Sequence, residues 1–303
     1  MISSQAKVSL HGVFPPLPTP FTADGRVDGE NLRANLRRWN SEPLTGYVVG
    51  GSNGEYVSLT PDERVDIVRL VREVIPSNRR LIAGSGMEGT EATIDLTRRM
   101  ASAGAEAALV ITPAYYKGRM NAAALEHHYK AVADASPMPI VLYNVPANTS
   151  IDLPVQAVIK LSMHPNIIGM KESGGDITKI GSLVHETPAD FQILAGSAGF
   201  FLGALAVGAV GCIAALANIS ASKLSSLYEC FQKNDICGAR AIQLPLIEAN
   251  TAVTARFGVP GLKAAMDMLG YYGGPVRSPL LPLPEEDRNT LRNILVRAGL
   301  LRD

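Results

Sequence analysis

The sequence predicts an α/β protein, a (β/α)8 or TIM barrel with a C-terminal helical extension. Eight short apolar runs alternate with longer amphipathic stretches at fairly even spacing between residues 12 and 214. Each run is almost continuously apolar, as expected of a parallel strand that helices cover on both faces. Eight β-then-α units are what a (β/α)8 barrel requires. The alternative, a doubly wound open sheet, usually has fewer strands.

The strands are predicted from aliphatic and β-branched residues bounded by turn residues. In chain order they are Gly12–Leu17, Gly46–Val49, Arg80–Ala83, Ala107–Ile111, Ile140–Tyr143, Ile167–Met170, Gln192–Leu194 and Ala209–Ala214.

The helices are predicted from amphipathic periodicity and capping residues. Thr60–Ile75 opens with Thr-Pro-Asp-Glu, an N-cap followed by proline at the first helical position. The other predicted helices are Thr90–Ala103, Asn121–Ala135, Leu153–Ser162 and Asp176–Glu186. His127 and His128 fall on one of them, and we expect both at the surface rather than in a site.

Strand signals stop after about residue 225. We therefore predict a barrel carrying the active site over residues 1–225 and a helical segment over residues 226–303.

Composition excludes several classes of function. Of 303 residues, 28 are basic and 28 acidic, so no net charge favours nucleic acid or an anionic membrane. The longest apolar run, Phe200 to Leu216, is too short for a membrane span. Three cysteines are too few for a disulfide framework and fit a reducing compartment. None has zinc-ligand spacing to a histidine, so we predict neither a metal nor a cofactor.

The N-terminal stretch Met1–Lys7 lacks the features of a signal or transit peptide, so we expect a cytoplasmic protein. A mitochondrial location stays open if a transit peptide precedes this chain.

Lys171 is the most informative residue, because it ends an apolar strand and is followed by a glycine turn. Catalytic residues of barrels lie at the C-terminal ends of strands. A buried lysine can supply a neutral amine, which attacks a ketone to form a Schiff base. The alternative is a strand that ends in solvent with its lysine exposed.

Other strand ends supply groups that fit the same chemistry. Tyr143 ends the preceding strand and can shuttle protons near the amine. Ser52 and Asn53, in a glycine-rich loop, can bind a carboxylate. Gly196 leaves room for a substrate, and Tyr115 lies beyond the fourth strand. Taken singly, each has an ordinary packing or turn explanation. The run Gly84–Gly89 fits a GxGxxG pattern, but the acidic residue expected after the next strand is missing.

With these residues in view, the chain resembles the dihydrodipicolinate synthase / N-acetylneuraminate lyase superfamily, which are Schiff-base-forming barrels. The resemblance covers essentially the whole chain, through Pro18–Phe21, Gly51–Glu55, Tyr143–Pro146, Gly169–Ser173 and Gly274–Arg277. Within it, the chain looks most like the mitochondrial-type 4-hydroxy-2-oxoglutarate aldolases, through Gly51–Glu55, Val145–Thr149, Leu194–Phe200 and Gly270–Pro275.

The resemblance implies roles for seven residues. Lys171 would be the Schiff-base lysine and Tyr143 the proton relay. Tyr115 would be a second relay tyrosine that reaches a neighbouring subunit's site in a homotetramer, a dimer of dimers. Ser52 and Asn53 would bind the substrate carboxylate, and Ser173 and Gly196 would line the pocket.

Two departures from dihydrodipicolinate synthases affect the functional prediction. Those enzymes have two threonines where this chain has Ser52 and Asn53, and an arginine that grips the aldehyde's carboxylate where it has Asn148. We therefore predict a metal-independent class I aldolase on small 2-oxo acids, cleaving 4-hydroxy-2-oxoglutarate to pyruvate and glyoxylate. Alternatives are a 2-keto-3-deoxy sugar acid aldolase or dehydratase, a dihydrodipicolinate synthase, and a catalytically silent binding barrel.

Overall fold

The computed structural model describes residues 8–302 and contains eight parallel strands. The N-terminal stretch Met1–Lys7, which we predict to be no leader, lies outside the described residues. The strands are β1 (Gly12–Phe14), β2 (Gly46–Val49), β3 (Arg80–Gly84), β4 (Ala107–Ile111), β5 (Ile140–Asn144), β6 (Ile167–Glu172), β7 (Gln192–Ala195) and β8 (Gly211–Ile213).

The strands form the predicted barrel. They pair in the order β1-β8-β7-β6-β5-β4-β3-β2, all in parallel. The ring closes beyond β1, where the Leu17 N–H donates to the Val48 carbonyl (2.8 Å) and the Val48 N–H donates to the Pro15 carbonyl (3.0 Å). The first strand is shorter than predicted, because Pro15 and Pro16 have no N–H with which to continue a ladder.

Helices follow the strands around the barrel, and the N-cap predicted at Thr60 is formed. Thr60 and Glu63 make a reciprocal capping box, with hydrogen bonds of 3.2 and 2.8 Å. The barrel helices are α1 (Gly29–Trp39), α2 (Pro61–Val74), α3 (Thr90–Ser102), α4 (Ala122–Ala135), α5 (Pro146–Thr149), α6 (Val155–Ser162), α7 (Ile177–Glu186) and α8 (Phe201–Ala206).

The strands are mainly apolar because both of their faces are buried. Inward-facing side chains fill the barrel interior, including Phe14, Val48, Leu109 and Val141. Outward-facing side chains pack against the helices in a larger outer layer. This packing makes the barrel a rigid support for groups at its rim.

The histidine pair on α4 divides between surface and core. His127 is exposed, as predicted, but His128 is 3% exposed, so the surface prediction is wrong for it. His128 shares the buried face of α4 with Leu125, Tyr129 and Val132, at helical spacing.

The C-terminal segment is helical, as predicted. It contains α9 (Ala221–Gln232), α10 (Ile236–Thr251), a π-helical turn (Ala252–Arg256), α11 (Gly258–Met268) and α12 (Glu285–Arg297). The proposed boundary at residue 225 falls inside α9, and the division of the chain there remains a prediction. Among residues 8–302, no helix combines the length and the apolar character that crossing a membrane requires.

Candidate active site

The C-terminal ends of β2, β5, β6 and β7 open onto one cavity of about 520 Å³. Its lining includes six of the seven predicted site residues, namely Ser52, Asn53, Tyr143, Lys171, Ser173 and Gly196. Asn148, on α5, also lines it. Residues that are distant in sequence are therefore brought to one side of the barrel, as the strand-end positions predict.

Lys171 lies inside the β6 ladder rather than beyond it. Its backbone pairs with Tyr143 on one side and Leu194 on the other. The residue is 4% exposed, and its Nζ lies 4.1 Å from the centre of the Tyr143 ring. The alternative of a lysine that extends into solvent is therefore wrong. Pairing with both neighbouring strands fixes the backbone of Lys171, and burial against the Tyr143 ring limits the positions of its amine.

Tyr143 connects the amine to the loop after β2. Its hydroxyl lies 3.2 Å from Ser52 Oγ, in a 3-10 turn that spans Ser52–Gly54. Gly50 precedes this turn with a φ of 65°, and a side chain there would meet the Gly84 carbonyl. A glycine is needed at this position for the chain to turn toward Tyr143.

Gly196 and Ser173 are packed against each other at the ends of β7 and β6. The Gly196 N–H donates to the Glu172 carbonyl (2.7 Å), and a Cβ at Gly196 would lie 1.9 Å from Ser173 Oγ. Ser173 Oγ is buried and has no hydrogen-bond partner among residues 8–302. This hydroxyl is therefore available to a bound substrate.

A buried polar cluster, which we did not predict, lies next to the site. Glu172 is fully buried, and both of its carboxylate oxygens accept from Asn144 Nδ2 (2.9 and 3.1 Å). Lys179 Nζ, on α7, lies 3.3 Å from Glu172 and also pairs with Asp152. Side chains alternate along a strand, so the pair Asn144–Glu172 projects away from Tyr143 and Lys171 and ties the two strand ends together.

The C-terminal segment supplies the outer wall of the cavity. Asn250, Thr251 and Thr254 line it from α10 and the π-helical turn. Asn250 is 5% exposed, and its Nδ2 donates to Ser197 Oγ (2.9 Å). Sequence patterns did not indicate this contribution. Thr254 lies in the π-helical turn, a local irregularity of a kind often found at functional sites.

Lys171 is the one residue with a charged side chain among those that line the cavity. A second buried cation, Arg64, lies behind the Ser52 turn and donates to the Gly84 carbonyl (2.5 Å). Burial lowers the pKa of Arg64 to about 10, so this guanidinium stays protonated at neutral pH. Burial likewise raises the pKa of Tyr56, whose ring lies 5.1 Å from the guanidinium.

Tyr115 does not join the cavity of its own chain. It is 78% exposed in the loop after β4, where its N–H donates to Glu88 (2.8 Å) and its ring packs edge-on against Tyr116. A role in a neighbouring subunit therefore remains a prediction.

Comparison with known proteins identifies the family of this chain. A model of the dihydrodipicolinate synthetase family matches residues 9–298. The chain belongs to this family. Its members are carbon–carbon lyases that form a lysine Schiff base with pyruvate, so the chain is an enzyme of this class.

Relatives in the dihydrodipicolinate synthetase family match along almost their whole length. The 4-hydroxy-tetrahydrodipicolinate synthase of Methanoculleus marisnigri is 36% identical over 96% of this chain and 100% of its own. The crystal structure of dihydrodipicolinate synthase DapA-2 from Bacillus anthracis has a TM-score of 0.91 at 30% identity, covering 95% and 98% of the two chains. The structure of YagE from E. coli in complex with pyruvate has a TM-score of 0.91 at 27% identity, covering 97% and 100%.

These comparisons confirm the predicted superfamily but do not support the predicted subfamily. They support the superfamily and a pyruvate-dependent lyase, but the curated relatives are named synthases, and none supports a particular closeness to the 4-hydroxy-2-oxoglutarate aldolases. The curated relatives compared, such as those of Methanoculleus marisnigri and Nitratidesulfovibrio vulgaris, are archaeal or bacterial and give the mitochondrial alternative no support.

Proposed function

We propose that this enzyme is a class I aldolase in which Lys171 forms the Schiff base, and that it cleaves 4-hydroxy-2-oxoglutarate to pyruvate and glyoxylate. The observation that carries the proposal is the buried Lys171 amine against the Tyr143 ring, in a cavity where the Tyr143 hydroxyl meets Ser52. A nucleophile, a proton carrier and a carboxylate-binding turn then surround one carbonyl carbon.

In this mechanism Lys171 gives up its proton to solvent, and the unprotonated amine attacks the C2 ketone of the substrate and forms a carbinolamine. Tyr143 donates a proton to the departing hydroxyl, and water leaves as the protonated imine forms. Ser52 and Asn53 hold the C1 carboxylate, and Ser173 Oγ offers a further hydrogen bond. This arrangement keeps C2 beside Nζ.

The protonated imine then accepts the electrons of the breaking C3–C4 bond. The C4 hydroxyl loses its proton to Tyr143, glyoxylate departs, and the enamine of pyruvate remains on Lys171. Tyr143 returns this proton to C3, which restores the protonated imine. Water then adds to C2 and gives a proton to Tyr143, and cleavage of the C2–N bond releases pyruvate and the Lys171 amine.

Asn148 favours the aldol cleavage over dihydrodipicolinate synthesis. By resemblance, the synthases have an arginine at this position, where a guanidinium can bind a carboxylate through two hydrogen bonds. Here the position carries a neutral amide that faces the cavity, and Lys171 is the one charged group in the lining. The loss of a bidentate cation weakens binding of the aldehyde that the synthases condense with pyruvate.

The names of the curated relatives favour a second candidate function. Relatives at 31–36% identity are called 4-hydroxy-tetrahydrodipicolinate synthases. This activity would use the same enamine of pyruvate on Lys171. In the synthase reaction the enamine would add to an aldehyde, whereas in the aldol cleavage it forms as an aldehyde departs. The two candidates thus share the Schiff base and differ in the second substrate.

We also propose that Tyr115 acts from a neighbouring copy in a homotetramer. Its 78% exposure and that of the adjacent Tyr116, at 71%, support a face covered by another subunit. Light scattering of the purified protein, with and without Tyr115→Ala, measures this assembly. A monomer that retains full activity would contradict it.

The functional test is a side-by-side assay of purified enzyme. It compares pyruvate release from 4-hydroxy-2-oxoglutarate, pyruvate release from 2-keto-3-deoxygluconate, and condensation of pyruvate with aspartate semialdehyde. We expect the highest kcat/KM for pyruvate release from 4-hydroxy-2-oxoglutarate. Lys171→Ala controls for background, and Asn148→Arg should shift the ratio of rates toward the aspartate semialdehyde reaction. A wild-type preference for aspartate semialdehyde would establish the second candidate.

A further inference from the structure

We infer that the buried ion pair between Glu55 and Lys263 positions the turn at Ser52 and Asn53, so that the C-terminal segment controls carboxylate binding in the barrel. This inference rests on the proposed carboxylate-binding role of the turn. Neither residue lines the cavity, and both would act through Ser52 and Asn53.

Glu55 is attached directly to the turn. Its N–H donates to the Ser52 carbonyl (3.1 Å), and its side chain is directed away into the protein, where the residue is 2% exposed. Glu55 Oε1 lies 2.5 Å from Lys263 Nζ, and Oε2 accepts from the backbone N–H of Arg277 (2.9 Å). Both carboxylate oxygens therefore contact the C-terminal segment.

The backbone of Glu55 indicates why its side chain matters. Glu55 has a φ of 55°, the left-handed conformation that a glycine adopts without strain. Glycines stand close by at positions 50, 51 and 54, yet position 55 holds a long charged residue. A strained backbone is retained where surrounding contacts determine it, and the ion pair supplies those contacts.

Lys263 is a well-defined partner rather than a mobile surface cation. It lies on α11, is 1% exposed, and also donates to the Pro275 carbonyl (2.8 Å). Its Nζ lies 4.4 Å from the centre of the Phe21 ring. Burial lowers the pKa of Lys263, while the neighbouring charge of Glu55 raises it. A buried ion held at several points gives its partner one position.

The opposite side of the turn is fixed as well. The Thr19 hydroxyl donates to the Gly54 carbonyl (2.7 Å), so the turn is held between the barrel at Thr19 and the C-terminal segment at Lys263. Because the turn is only three residues long, a shift at Glu55 moves Ser52 Oγ relative to Tyr143. A displacement of about 1 Å can lower a catalytic rate about 100-fold.

The experiment compares trapping of pyruvate with trapping of pyruvamide, its neutral amide, at Lys171 by borohydride. The wild type should be trapped at a much lower concentration of pyruvate than of pyruvamide, because the turn recognises the carboxylate. The ratio of these two concentrations defines the pyruvate preference. Glu55→Gln should reduce this pyruvate preference about tenfold or more while pyruvamide trapping changes little. A merely structural role would lower trapping of both compounds together or leave both unchanged, and either result would overturn the inference.

Two further variants guard against misfolding and stability effects. Glu55→Gln combined with Lys263→Met removes both charges, so it should unfold at a higher temperature than Glu55→Gln alone and still lack the preference for pyruvate. A double variant with the wild-type preference would contradict the inference.

Glu63→Gln breaks the partly buried pair of Glu63 with Arg277 (2.8 Å) and should retain the preference. Failure of the wild type to trap pyruvate at all would instead reject the proposed function.

Discussion

Tyr143 and Lys171 are opposite each other in the β5–β6 ladder, with Lys171 Nζ 4.1 Å from the centre of the Tyr143 ring. Parallel pairing fixes both backbones, and each residue is 4% exposed, so burial limits the freedom of both side chains before a substrate binds. The Tyr143 hydroxyl is linked in turn to Ser52 (3.2 Å), which places the proposed proton carrier between the amine and the carboxylate-binding turn.

Replacing Tyr143 by phenylalanine tests the proposed proton relay. The ring and its packing remain, but the hydroxyl that exchanges protons is lost. General acid–base groups contribute about 10²–10⁴-fold, so kcat should fall by that order with little change in melting temperature. Steady-state kinetics and thermal unfolding measure the two effects. A variant with wild-type kcat would remove Tyr143 from the mechanism.

Replacing Gly196 by alanine tests how tightly the strand ends are packed. The new methyl group would lie 1.9 Å from Ser173 Oγ and 2.7 Å from Ser173 Cβ, so β6 and β7 must separate. We expect unfolding free energy to fall by about 1–3 kcal/mol and KM for the 2-oxo acid to rise.

The double variant of Gly196→Ala with Ser173→Gly is the control for this prediction. It removes both Ser173 atoms from the clash but leaves the Glu172 carbonyl at 2.8 Å. Urea unfolding should therefore show partial recovery of stability. Gly196→Ala with unchanged stability and KM would contradict the packing described here.

His128 should make the protein less stable in acid. Burial lowers the pKa of His128 to about 4, from an unfolded value of about 6.5. Between these values the unfolded chain binds a proton that the folded protein does not, so stability falls as pH falls through this window. Between pH 6.5 and 4.5 the loss attributable to His128 should be about 2–3 kcal/mol.

Urea unfolding at both pH values measures this difference. His128→Gln should lose less stability than the wild type over this range, whereas the exposed neighbour variant His127→Gln should behave like the wild type. An identical pH response of wild type and His128→Gln would show that this histidine is not the acid-sensitive group.

Strand composition predicted the barrel and the placement of most site residues, because buried parallel strands are apolar and their ends mark the catalytic rim. The same criterion ended the sixth strand two residues early, at Met170. Backbone pairing with β5 and β7 continues through Lys171 and Glu172, whose polar side chains point into the cavity and into the ion pair with Lys179.

Contacts between distant segments could not be predicted from local patterns. Glu55 and Lys263 meet only after the barrel closes and α11 packs against it, and each residue alone is typical of a surface. Asn250 reaches the cavity for the same reason. Tyr115 could be placed on the rim, and its role toward a neighbouring subunit remains a prediction.

The most direct test of the account is borohydride reduction in the presence of pyruvate, followed by peptide mass spectrometry. The chain has other lysines near the site, Lys179 beside Glu172 and Lys263 beside Glu55, which serve as internal controls. We predict that the pyruvate adduct lies on Lys171 alone, that it is absent in Lys171→Ala, and that its formation inactivates the enzyme. A fully active enzyme with no adduct, or an adduct confined to another lysine, would contradict the account.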